Sequence, residues 1–121
     1  MRHRTILSTI AVIVCLFQAA AGQQRLLVIG GGERPPDAVR RFVEWSGGQR
    51  ARLLMITWAS AEPEKSFEAL KKDFSIVPDI SIEHAAMRPL DTAGRALFLE
   101  QLRTATGVFF YQTGGLTNML Y

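Results

Sequence analysis

Three short stretches carry residue types that could build a ligand site. Gly30, Gly31 and Gly32 close the apolar run of residues 25–29 ("RLLVI"), and Gly114 and Gly115 follow the run of residues 108–111 ("VFFY"). The hydroxyl-bearing stretch Thr57, Trp58, Ala59 and Ser60 ends a third run, residues 51–57 ("ARLLMIT"). Glycine lets a chain turn tightly and lets its backbone come close to a ligand. Hydroxyls beside such turns can hydrogen-bond a carbonyl or an anion, so Gly30, Gly31, Gly32 and Ser60 are expected to line a crevice.

Other chemistries find less support. In "IGGGERPPD" the third required glycine of a dinucleotide fingerprint falls on Pro35, and no Gly-Lys-Ser/Thr follows to make a phosphate loop. A nucleotide-binding domain is therefore disfavoured. The two histidines are His3 and His84, and the single cysteine is Cys15. One isolated histidine without thiolates has no ligand spacing for a metal, and no metal or organic cofactor is expected. Glu33 with Asp37, and Glu62 with Glu64, sit at the starts of helices, where acidic side chains favour the helix dipole. His84 reads as a strand-end or surface residue.

These stretches need a scaffold. The runs at residues 25–29 and 51–57 suit strands buried on both faces. Residues 80–84 form a weaker strand, and the last strand follows Gly107 at residues 108–111. Between them Pro36 opens a helix with Val39, Phe42 and Val43 on one face, ended by Gly47 and Gly48. Ser60 or Glu62 caps a second helix with Phe67, Leu70 and Phe74 inward, and Asp91 caps a third over residues 92–105. The order β-α-β-α-β-α-β predicts a mostly parallel sheet with right-handed crossovers and helices on both faces. Ligands of such sheets sit at the carboxyl ends of the strands where the winding reverses. If the first and fourth strands are neighbours, both glycine turns face one crevice.

The amino terminus reads as a targeting segment. "MRHR" is basic, residues 5–21 are apolar but only 17 long against the roughly 20 needed to span a bilayer, and Ala19, Ala20, Ala21 and Gly22 suit cleavage. Residues 1–22 are thus expected to be a secretory signal and residues 23–121 a single domain, placing the protein in a secreted or periplasmic compartment, with membrane contact only through the signal. Without Arg2 and Arg4, 12 of the 14 basic residues remain against 11 acidic ones. No basic stripe is left for nucleic acid. Cys15 leaves with the signal, so the remainder has no thiol.

The ordered set "LLVIGGGE", "RLLMITWAS" followed by proline, "PLD" and "ATGVFFYQTGG...N.L" resembles the N-terminal half of the cyanophycinase and dipeptidase E family of serine peptidases over about residues 25–121. The resemblance implies a class I glutamine amidotransferase-like fold, here a partial doubly wound sheet. It also implies hydrolysis of β-linked Asp-Arg units or of dipeptides beginning with aspartate. Gly114 and Gly115 match the turn that contributes to substrate binding and the oxyanion site in that family. Thr117 agrees with the dipeptidase-like variant of the turn, and Leu116 replaces a polar residue.

The family's Gly-x-Ser-Ala-Gly elbow and its histidine and acid have no counterpart among these 121 residues. Ser46, Ser60, Ser66, Ser75 and Ser81 read as caps and loop residues. The expectation is an N-terminal portion that ends before the catalytic residues and is inactive alone, its partner being a peptide substrate of the complete enzyme. In such a portion residues 108–111 would form an apolar edge prone to aggregation. The alternative is a small non-catalytic module that binds an acidic peptide or metabolite in the glycine-lined crevice, with Arg34 and Thr117 as anion contacts.

Overall fold

The computed structural model describes residues 24–29 and 33–111. The expected signal segment, and Gly30, Gly31, Gly32, Gly114, Gly115 and Thr117, lie outside these residues. The described elements run α1 (Pro36–Trp45), a 3-10 turn (Gly48–Arg50), β1 (Arg52–Ile56), α2 (Pro63–Phe74), β2 (Ser81–His84), α3 (Thr92–Thr104) and β3 (Gly107–Phe110).

Local signals explain where the helices start and stop. Pro36 takes the first position of α1, where its missing N–H costs nothing, and Asp37 lies in the first turn. The helix ends at Ser46, and Gly47 follows in the left-handed region at φ 113°. Asp91 caps α3 by accepting a hydrogen bond from the Gly94 N–H at 2.6 Å. In α2 the capping residue is Glu62, whose side chain makes no capping bond. Ser60 instead accepts from the Glu62 N–H at 3.1 Å.

The three strands form a parallel sheet in the order β2-β1-β3, with Leu54 opposite Glu83 on one side and Val108 on the other. Four consecutive residues of β1, Leu53 to Ile56, are buried, as a central strand covered on both faces requires. Leu53 and Met55 pack with Val39 and Val43 of α1 and Leu70 and Phe74 of α2. Leu54 and Ile56 point the other way, to a cluster with Ala85, Phe98 of α3 and Val108. Helices therefore cover both faces.

Phe42, Phe74 and Phe109 meet edge to face, with ring centroids 6.1, 5.6 and 5.6 Å apart, and join α1, α2 and β3. Such pairs add about 0.5–1.5 kcal/mol each beyond the area they bury.

The expectation of a first strand at residues 25–29 is corrected. The chain carries no strand there, and Leu26 and Val28 are 85% and 80% exposed. An apolar run becomes a buried strand only when a neighbour takes up its backbone hydrogen bonds, and among the described residues β3 pairs only with β1. The described order is accordingly α-β-α-β-α-β. The remaining elements lie within a residue or two of their expected limits.

Candidate functional site

From β1 the chain passes through α2 to β2 on one side, then through α3 to β3 on the other. The winding reverses across β1, and the carboxyl ends of β1 and β3 lie side by side, where such sheets hold ligands.

Leaving β1, Thr57 is fully buried, and its Oγ1 lies 2.7 Å from His84 Nε2 at the end of β2. The His84 ring stacks flat on Phe67, with centroids 4.3 Å apart and planes 4° off parallel. Burial pushes the His84 pKa below its ordinary value, while the Glu64 and Glu68 carboxylates oppose the shift. His84 is thus a half-buried strand-end residue with a defined partner.

Trp58 fixes the next step of the chain. Its indole N–H donates to the Ala86 carbonyl at 2.9 Å, and its ring lies 4.8 Å from that of Phe98. The turn then closes with the Ser60 N–H donating to Thr57 O at 2.9 Å.

This brings Ser60 to an open groove of about 310 Å³ lined by Ser60, Glu62, Lys65, Ser66, Ala69 and Tyr111. Ser60 Oγ and Ser66 Oγ are 2.6 Å apart, and Lys65 Nζ lies 3.1 Å from Glu62 Oε2. Tyr111 directly follows β3 and precedes the segment that carries the second glycine pair. The groove therefore joins the start of α2 to the end of β3, with hydroxyls, one ion pair and small apolar side chains as its lining. It can hydrogen-bond a polar ligand.

Among the described residues lining it, no hydroxyl has a histidine beside it. Among the described serines, Ser46 Oγ donates to Phe42 O and Ser75 Oγ to Lys72 O, while Ser60 and Ser66 hold each other. The hydroxyl beside His84 belongs to Thr57, which no substrate can reach. Among the described residues no three His, Cys, Asp or Glu side chains converge as metal ligands.

Of the residues expected at the site, Ser60 stands at this groove, while the two glycine clusters and Thr117 lie outside the described residues. Arg34, expected as an anion contact, is instead engaged: its Nε donates to Asp73 Oδ2 at 2.6 Å, and its guanidinium lies 5.2 Å over the Tyr111 ring. A guanidinium so paired is not free for a ligand carboxylate.

Sequence reasoning missed Ser66 and Tyr111 as lining residues. Ser66 did leave a signal, as a hydroxyl at the helical spacing of Leu70 and Phe74 on the buried face of α2. Comparisons with protein-family models, curated proteins and solved structures give no match for this chain.

Proposed function

We propose that this chain is the N-terminal scaffold of a cyanophycinase-like serine peptidase of doubly wound, class I glutamine amidotransferase-like fold. It supplies the sheet and the substrate-side crevice, and it binds peptides with an N-terminal aspartyl unit without cleaving them. The carrying observation is the shared groove at the carboxyl ends of β1 and β3, where Ser60 and Ser66 stand beside Tyr111. The family turn matched by Gly114, Gly115 and Thr117 follows Tyr111 by only a few residues in sequence.

The chemistry of the lining supports binding over catalysis. Ser60, Ser66 and Tyr111 offer hydroxyls to a peptide's carbonyl and carboxylate groups, and the Lys65–Glu62 ion pair adds a charged donor and acceptor without net charge. Proteolysis of the family type needs a serine hydrogen-bonded to a histidine that an acid orients. No described serine has a histidine partner.

Calorimetric titration of the full chain with aspartyl-arginine dipeptides, β- and α-linked, and with alanyl-arginine tests the proposal. An aspartyl peptide is expected to bind at least about tenfold more tightly than the alanyl control, the worth of roughly one good hydrogen bond, and to be recovered intact. Equal binding of all three, no binding, or hydrolysis by the chain alone would overturn it.

A further inference from the structure

A second groove lies at the other end of the sheet. It is open, has a volume of about 420 Å³, and runs between the end of α1 and the start of β3, with Arg25, Phe42, Trp45, Thr106 and Val108 among its walls. Small-molecule sites commonly hold roughly 300–1,000 Å³. Ser60 and Tyr111 stand at the carboxyl ends of the strands, so this groove is separate from theirs.

Two of the hydroxyls in the groove already have partners. Thr106 Oγ1 accepts from the Arg52 N–H at 2.8 Å, and Ser46 Oγ donates to Phe42 O at 2.8 Å. Arg25 differs from them. Its guanidinium stands 5.4 Å over the Trp45 ring, and among the described residues it makes no ion pair. Arg41, 5.9 Å from the centroid of the same ring, has Glu44 at 4.0 Å. Two guanidinium groups thus share one indole and one carboxylate, which leaves a single uncompensated positive charge beside the groove.

A guanidinium stacked on a ring keeps its N–H donors in its own plane, where they match the two oxygens of a carboxylate. Stacking also holds the fork in place before a ligand arrives, so less freedom is lost on binding. The neighbouring walls are apolar, and exclusion of water by them strengthens a charged contact.

We propose that this groove binds a small organic monocarboxylate with an apolar body, its carboxylate on the Arg25 fork and its body against Phe42, Trp45 and Val108. One negative charge matches the one guanidinium that lacks a carboxylate. A phosphate would meet the same single fork and gain nothing from the aromatic wall.

NMR titration of the full chain with 3-phenylpropionate, its neutral counterpart 3-phenylpropanamide, and inorganic phosphate tests this. The acid is expected to give saturable shifts at the Trp45 indole N–H and at the Gly107 and Val108 amides. It should bind at least about tenfold more tightly than the amide or phosphate, the worth of one charge-assisted contact. Arg25 is exposed, so Arg25→Gln should leave the Ser60 and Tyr111 resonances in place while weakening the acid to the level of the amide. Arg25→Lys keeps the charge without the planar fork and should retain only part of the affinity. Equal binding of acid and amide would overturn the proposal, as would phosphate binding more tightly than the acid. Parent-like binding by Arg25→Gln, shifts confined to the carboxyl ends of the strands, or no shifts at all would do the same.

Discussion

The Thr57 hydroxyl and the His84 Nε2 meet at 2.7 Å across the ends of two neighbouring parallel strands. The contact ties the segment entering the groove to the end of β2, and its strength depends on the charge of the imidazole.

Burial holds the His84 pKa below the ordinary 6.5 in the folded chain. Between that lowered value and 6.5 the unfolded chain binds more protons, so stability rises with pH across this interval. The stabilisation is fully present above about 6.5 and is lost as pH falls through the folded value. Urea unfolding of the full chain at a series of pH values should show this slope, and His84→Asn should flatten it. Thr57→Val should cost about 1–2 kcal/mol by leaving a half-buried nitrogen without its partner.

Gly107 begins β3 against the end of α1. A Cβ at this position would stand 2.2 Å from Ser46 Oγ, 2.8 Å from Ser46 Cβ and 3.0 Å from Leu53 Cδ2. Gly107→Ala should therefore destabilise by about 1–3 kcal/mol, the usual cost of overpacking. Adding Ser46→Gly should recover part of the loss, because it removes the two closest atoms. Denaturant midpoints of the single and double variants check both statements.

Gln101, 5% exposed, is the polar latch between α3 and β2. Its Oε1 accepts from the Ala86 N–H, and its Nε2 donates to Glu83 Oε1 and to His84 O, all at 2.9 Å. Gln101→Leu keeps the bulk but strands these backbone groups, at a cost of about 2–3 kcal/mol. Faster hydrogen exchange at Ala86 should accompany the loss of stability.

Asp73 pairs with Arg34 and so fixes the segment that enters α1. Asp73→Ala leaves the largely buried guanidinium without its carboxylate and should lower stability by about 1–3 kcal/mol, the range for hydrogen bonds to charged groups. If Arg34 then becomes free to meet anions, the variant should bind aspartyl dipeptides more tightly than the parent, which calorimetry can read.

Much of this architecture was legible residue by residue. Pro36, Gly47 and Asp91 act through their immediate neighbours, so their roles as helix start, helix stop and cap could be read locally. Leu53 to Ile56 read as a buried strand because both their faces are apolar. Residues 25–29 read the same way and are not a strand here, since pairing depends on what the outer edge of β3 accepts. Thr57 and His84 are 27 positions apart, and only the sheet order brings them together. Tyr111 reached the groove for the same reason. Spacing along the chain carries no record of which strand ends are adjacent.

The most direct measurement of the central claim is an NMR titration of the full chain with β-aspartyl-arginine. The account predicts saturable shifts at the backbone amides of Ser60, Ser66 and Tyr111, with no cleavage of the dipeptide. Shifts confined to other parts of the fold, or none up to saturation of the peptide, would contradict it.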